Sequence, residues 1–374
     1  LEGLAALGTA LNEPRYTQPV LEVARQRGWT PAAQPPGGVP PFTLLMFEVM
    51  RLDGVCAYAE GFVAATRAYR EHIARARDGA VLHPRAVQWG GGHAVLLDSM
   101  QEYCRRMAAA GMLGGEADFF EECATQVRIH RDILRDELTG LWHQGRGWWD
   151  DPQRVSDGAW SRGHGWLLRG LVESLRCMPR DNAAHGELRS VLHELACALV
   201  RVQDGHGMWH ALLDRPADES AIESSGTGMI AYSLARAMAD GVLLREEGGP
   251  AVKRAWAGLA ACVTDDGSVL HACPGPGPLR REHSAQYCVT SFAPGEAHGA
   301  GAVLLAGAPV FAALGGLALA LFWSEGQPLA SVPLSHYQIT VNPSLPALPL
   351  FTLAGLVFAR SGAAGRLGTL FTAC

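Results

Sequence analysis

"DGHGMWHALLD", residues 204–214, is the stretch that decides how this chain folds. An Asp-Gly turn signal, then Trp209 and His210, follow directly on a stretch in which Leu192, Leu195, Ala196 and Leu199 share one helical face. Glycine stops such a helix because it enters the left-handed conformation without steric cost. The phrase returns as "DGAVLHP" from Asp78, "DELTGLWHQG" from Asp136 and "DDGSVLHAC" from Asp265. Each time an apolar residue or Trp precedes a His: His83, His143, His210 and His271. The glycines Gly79, Gly140, Gly207 and Gly267 recur at roughly 60-residue intervals, the mark of a repeated supersecondary unit.

A unit of that size holds two helices of ordinary length and their connections. Helical patterns are readable over residues 1–11, 14–28, 41–51, 55–76, 94–110, 116–136, 160–177, 185–203, 223–241, 250–264 and 298–318, with little strand-like alternation. At two helices per unit these come close to six hairpins. The fold class expected is therefore all-α, a toroid of helical hairpins, with residues 1–323 forming one domain. In such a ring every Asp-Gly turn lies at the same end, so the Trp and His residues after the turns are expected to converge on one mouth. Residues 324–374 are Pro-rich and carry no repeat, and they are expected to form an irregular tail.

Bulk composition narrows the function classes. The chain of 374 residues is 48% hydrophobic and 18% charged, with a net charge of −6. That balance offers no electrostatic case for nucleic acid or an anionic membrane as partner. Residues 299–323 are uncharged, but Pro309 and the lack of flanking positive charge favour a buried closing helix over a membrane span. Nine cysteines occur without a CxxC pair, and Cys104, Cys123 and Cys197 among apolar residues read as buried free thiols. No secretory signal precedes the first helical stretch, so a cytoplasmic location is favoured; a first residue of Leu1 suggests a processed or incomplete start.

Three stretches carry chemistry. In "AWSRGHGW", Trp160 and Trp166 flank Arg162 and His164 at a helix start. Aromatic faces stack on sugar rings, and a guanidinium grips a carboxylate through two parallel hydrogen bonds. "GGGHAVLLDSM" sets Asp98 among Leu96, Leu97 and Met100, where an acid is costly to bury without a partner and well suited to moving protons. "RLDGVCAY" places Asp53 similarly after an apolar run. "ESSGTGMIAYSLA" opens a helix with Ser225 as its expected cap, and His298 opens "HGAGAVLLA". No metal is expected: His206 and His210 are separated by a glycine-rich turn, and HExxH is absent. No P-loop, dinucleotide fingerprint or GxSxG occurs, so no cofactor is expected.

Taken in order, "LLDSM", "TGLWHQG", "WSRGHGW", "VQDGHGMWHALLD", "ESSGTGMIAYSLARAMADGVL", "AWAGL" and "HGAGAVLLA" resemble glycoside hydrolase families 88 and 105, the unsaturated uronyl hydrolases, and the unsaturated rhamnogalacturonyl hydrolases of family 105 most of all. The resemblance covers roughly residues 5–315 and implies an (α/α)6 barrel acting on lyase-generated oligosaccharides that end in an unsaturated uronic acid. It implies Asp98 as the acid–base residue that protonates C4 of the C4=C5 bond, with Asp53 as a second catalytic Asp. Trp160, Arg162, His164, Trp166, His143, Gln144, Trp209 and His298 would then bind substrate. The chain departs from the pattern in several places: the spacing from Asp53 to Asp98 is shorter than usual, and the tail beyond about residue 320 has no family counterpart. "PPGGVPPFTLLMFEVM" lacks the aromatic and His residues of the family's early helix, and Gln144 stands where the family has His.

Overall fold

The structure, a computed structural model, describes residues 2–11, 14–26, 43–53, 59–83, 93–147, 151–264, 268–275 and 298–307. The described residues lie within one compact unit, Leu1–Phe311. The boundary expected at 323/324, the tail 324–374 and the end of the uncharged stretch lie outside them. In chain order the helices are α1 (Glu2–Leu11), α2 (Pro14–Gln26), α3 (Thr43–Asp53), α4 (Ala59–His72), α5 (Arg105–Gly114), α6 (Ala117–Leu134), α7 (Ser161–Cys177), α8 (Ala183–Arg201), α9 (Ser224–Ala239) and α10 (Arg245–Ala261). A further helix, α11, covers residues 298–307. None of the described helices is long and apolar enough to cross a membrane.

The repeated turns follow α4, α6, α8 and α10. Asp78, Asp136 and Asp204 each fold a carboxylate oxygen back onto backbone N–H groups two to four residues on: Ala80 at 3.3 Å, Thr139 at 2.8 Å and Met208 at 2.7 Å. The backbone then reverses at Gly79, Gly140 and Gly207, whose φ values of +86°, +74° and +88° suit glycine. Gly267 lies outside the described residues. Two residues beyond each described glycine, the N–H of Val81, Trp142 or Trp209 donates to a side chain of a later helix: Gln126, His164 and Thr227, each at 3.0 Å. The sequence period is thus a period of hydrogen bonds. The histidines are less regular than the phrase suggests. His143 and His210 come three residues after their glycine, whereas His83 and His271 come four after, and along this extended backbone a one-residue slip turns a side chain the other way.

Alternate helices form an inner ring. Packing runs from α1 to α3, α3 to α5, α5 to α7 and α7 to α9. Small residues bring the backbones close: a Cβ on Gly165 would lie 2.8 Å from Met229, and one on Gly228 2.6 Å from the Ala302 carbonyl of α11. The ring closes where Gly3 of α1 meets the Gly301 carbonyl of α11, 2.8 Å from a Cβ placed there. The remaining helices pack outside, with α8 against both α6 and α10. Burial follows this division. Helix α7 is buried on nearly every side, whereas α10 buries only the stripe Gly248, Ala251, Ala255 and Leu259. The chain is a toroid of helical hairpins, as the repeat predicts.

Three local expectations need correction. The stretch 94–110 is not one helix: Val95–Leu96 (β1) pairs antiparallel with Gly145–Arg146 (β2), a π-helical turn spans Met100–Cys104, and only then does α5 begin. The cause is α7, where a Cβ on Gly170 would sit 2.6 Å from the Met100 carbonyl, so the chain bulges into space that only glycine leaves. Helix α10 starts at Arg245 instead of residue 250, because the Glu247 carboxylate accepts the Leu244 N–H at 2.9 Å and fixes an earlier start. Cys197 is half-buried, unlike Cys104 and Cys123, since α8 turns that face outward.

Two buried imidazoles make the fold sensitive to acid. Burial lowers both His130 and His164 to about 4, below their ordinary 6.5, although each donates Nδ1–H to a carbonyl one turn back. In the unfolded chain both would gain protons near pH 6.5, while the folded chain resists until about pH 4. Stability is therefore expected to fall as pH drops through that window, by about 2 kcal/mol per histidine at pH 5. Below pH 4.5 a further loss follows, because Glu173, despite the opposing effect of burial, is held at about 2 by Arg105, Arg176, Tyr232 and Arg169. Melting temperatures measured from pH 7.5 to 5 check this; an unchanged value across that range would contradict it.

Candidate active site

A chain of backbone hydrogen bonds stitches together the segments that lead into the inner helices. His83 N–H donates to Ala94, Leu97 to Gln144, Ser156 to Gly145, Ser161 to Ala211, Ala211 to Ala221 and Ser224 to His271, over 2.7–3.1 Å. These bonds bring the entries of the π-helical turn, α7 and α9 to one rim. Asp98 follows β1 there. It is half-buried although Leu96, Leu97 and Met100 are buried, so its carboxylate is not enclosed by apolar neighbours as the sequence suggests. Among the described residues nothing hydrogen-bonds to it. Leu97 in turn packs against α7, with its Cδ1 3.1 Å from a Cβ placed on Gly163.

Arg162 stands on the first turn of α7, 4% exposed, its guanidinium 5.2 Å from the ring centre of Trp160. Its Nη1 donates to the Cys273 carbonyl, while its Nε is buried without a partner among the described residues. The same holds for Ser99 Oγ, Gln101 Oε1, Ser161 Oγ, Ser224 Oγ and His143 Nδ1. Buried polar groups are almost always satisfied, so several orphans on three adjoining helix entries mark a place that solvent or a ligand completes. Helix N-termini also favour an anion, and neither Trp160 nor Ser99 spends a side chain on capping. The rim is therefore suited to a carboxylate-bearing polar molecule beside a carboxylic acid.

One member of this rim is not evident from the sequence. Glu223, fully buried, is the N-cap of α9 in place of Ser225. Its carboxylate accepts from Ser225 N and Oγ, from Gly226 N, and from Cys273 N at 3.0 Å. Cys273 then presents its carbonyl to Arg162, so a single acid sets the loop that holds the guanidinium. The one available signal is its place two residues before the expected cap, in "ESSGTG".

Other expected binding residues are placed differently. Both nitrogens of His164 are engaged by backbone, Nδ1–H donating to Trp160 and Nε2 accepting from Trp142. Trp209 is fully buried, with its indole N–H on the Leu199 carbonyl at 2.8 Å. Both residues are framework: His164, on α7, spends both nitrogens on backbone, and Trp209, on the non-helical segment after the Gly207 turn, is packed into the core. Trp166 is half-buried and meets exposed His298 edge-on at 6.0 Å. Gln144 is buried and its carbonyl anchors Leu97. Asp53 ends α3, and its side chain lies outside the described residues. His210 does not join the rim with His143; it spans Asp204 Oδ2 at 2.9 Å and the Ser220 carbonyl. There it lines a separate cavity of about 220 Å³ with Arg201, Leu212 and Arg215.

The Glycosyl Hydrolase Family 88 model matches residues 57–314, most of the chain. The chain belongs to glycosyl hydrolase family 88. Within this family-88 chain, 110 residues are 36% identical to the unsaturated 3S-rhamnoglycuronyl hydrolase of Formosa agariphila, covering 29% of each protein. A stretch of 176 residues is 28% identical to the unsaturated rhamnogalacturonyl hydrolase YesR of Bacillus subtilis, covering 46% of this chain and 48% of that one. The matches thus span less than half of these curated relatives. Among solved structures, a possible member of the GH105 family from Klebsiella pneumoniae superposes with a TM-score of 0.71 at 21% identity, covering 83% and 80% of the two chains. The unsaturated glucuronyl hydrolase of Bacillus sp. GL1 gives 0.60 at 13% identity, covering 82% and 83%. At these identities the superpositions speak for the six-hairpin fold of family 88, not for a substrate.

Proposed function

We propose that the protein is an unsaturated uronyl hydrolase of rhamnogalacturonyl type, which hydrates the C4=C5 bond of the terminal uronic acid on lyase-generated oligosaccharides. The observation that supports this reading is the half-buried carboxylate of Asp98, which accepts no hydrogen bond from the described residues, set on the same rim as Arg162 and the polar atoms that the described residues leave open. The names of the Formosa and Bacillus relatives agree with it.

In this mechanism Asp98 gives its proton to C4 as the π electrons form the new C–H bond, and positive charge develops at C5. Water adds at C5 and returns a proton to the Asp98 carboxylate, so a single group serves as acid and then base. The C5 hemiketal opens and the neighbouring sugar is released. Arg162 and the helix entries face the uronate carboxylate, and Trp160 and Trp166 supply aromatic surface beside them. No step needs a second carboxylate at the separation that ordinary glycosidases use.

The test is to mix the protein with unsaturated oligosaccharides made by pectin and glycosaminoglycan lyases and follow the ultraviolet absorbance of the double bond. Its loss, with release of the neighbouring sugar, is the expected result. Persistence of the double bond in folded protein across all substrates would leave only an oligosaccharide-binding role. Arg162→Lys keeps the charge and loses the fork and the stacking. It is expected to raise KM by ~10-fold or more, because a bidentate contact is worth over 1 kcal/mol. The melting temperature should fall by only a few degrees, as one buried hydrogen bond to Cys273 is weakened. An unchanged KM with reduced stability would mark Arg162 as a loop clamp alone.

A further inference from the structure

We propose that His193, Cys197 and Glu247 form a site for a zinc-class divalent cation on the outside of the ring, where it ties α8 to α10. His193 and Cys197 are four residues apart on α8, so both project from one face. Glu247 lies in the first turn of α10, the next outer helix, with its carboxylate held by the Leu244 N–H. His193 Nε2 is 3.8 Å from Glu247 Oε2 and 3.9 Å from Cys197 Sγ. The candidate ligand atoms of the three residues all lie within 4.8 Å of one another. Tetrahedral zinc with sulfur, nitrogen and oxygen ligands needs those atoms about 3.4–3.6 Å apart, so the two His193 contacts must close by a few tenths of an ångström and the set as a whole by about 1 Å, within reach of side-chain rotation.

The donor set also selects the ion. One thiolate, one imidazole and one carboxylate suit a borderline ion such as Zn²⁺ and not Ca²⁺ or Mg²⁺, which prefer oxygen alone. Three protein ligands leave a fourth position for water. His193 and Glu247 are partly exposed, at 45% and 37% for their side chains, so an ion can enter from solvent. Neither α8 nor α10 contributes to the rim that bears Asp98, and the proposal is independent of the proposed function. Along the chain only His206 and His210 form a histidine pair with metal-like spacing; a set completed by a residue fifty positions after Cys197 has no local spacing signature.

The test uses the full chain, first freed of metal with a chelator, and titrates it with Co²⁺ as a spectroscopic stand-in for Zn²⁺. The expected result is a thiolate-to-cobalt absorption band that saturates at one equivalent and is erased by Zn²⁺. The band should vanish in Cys197→Ser and survive in Cys262→Ser. His193→Gln and Glu247→Gln should each weaken binding at least ~10-fold, since even loss of an outer partner of a metal ligand costs that much. Zn²⁺ should raise the melting temperature of the wild-type chain and not that of Glu247→Gln, whose partly exposed site allows it to fold normally without metal. Absence of a cobalt band, its persistence in Cys197→Ser, or equal Zn²⁺ effects on wild type and Glu247→Gln would overturn the proposal. The first of these leaves a His193–Glu247 ion pair beside an inert thiol.

Discussion

Asp98→Asn is expected to lower turnover of an unsaturated uronide by at least ~10²-fold, the usual worth of a positioned acid–base group, while leaving the fold intact. The amide keeps the shape of the side chain but can neither deliver a proton to C4 nor take one from water. Stability should hold because nothing among the described residues hydrogen-bonds to the carboxylate and it is only half-buried. Substrate affinity should largely persist, since the groups proposed to face the uronate, Arg162 and the entries of α7 and α9, are untouched. Steady-state kinetics with a lyase-generated disaccharide, alongside a melting curve, distinguish the possibilities. Near-normal kcat in the folded variant would refute the mechanism; lost stability with chemistry intact would instead make Asp98 a structural acid.

The largest loss of stability is expected from Glu223→Ala. The carboxylate serves four donors at a fully buried position, Ser225 N and Oγ, Gly226 N and Cys273 N. Alanine leaves these donors without an acceptor and removes the cap of α9, at a cost on the order of 3–5 kcal/mol. The melting temperature should drop by roughly 10 °C, given a few degrees per kcal/mol in a domain of this size. Cys273 would no longer be held, so KM should rise through Arg162 even in the population that stays folded. Glu223→Gln separates the two effects: one oxygen still accepts, so stability should recover in part. An alanine variant that melts within a degree or two of the wild type would show that Glu223 does not anchor the start of α9 and the Cys273 loop.

Much of this protein was legible along the chain because its repeat is local. The Asp-Gly turns close within four residues, on hydrogen bonds between near neighbours, so their recurrence at Asp78, Asp136 and Asp204 is written in the sequence and carries the hairpin ring with it. Helix existence was equally legible, because a 3.6-residue pattern needs only its own segment. Both the fold and the motif order that places the chain in family 88 rest on such local signals.

What only the tertiary structure decided are the features set by partners far along the chain. Glycine at 170 lets the backbone bulge at Met100 and turns an expected helix into a strand and a π-helical turn ahead of α5. Trp209 and His164 look like ligand-binding residues by type, but Leu199, Trp142 and Trp160 claim their polar atoms and make them framework. Glu223 looks like a helix-start acid, yet its contact with Cys273, fifty positions on, makes it the anchor of Arg162. Amino-acid type determines which hydrogen bonds and burial a residue can accept. The neighbours that satisfy or leave open those bonds are chosen by long-range packing, and this separates a site residue from a structural one.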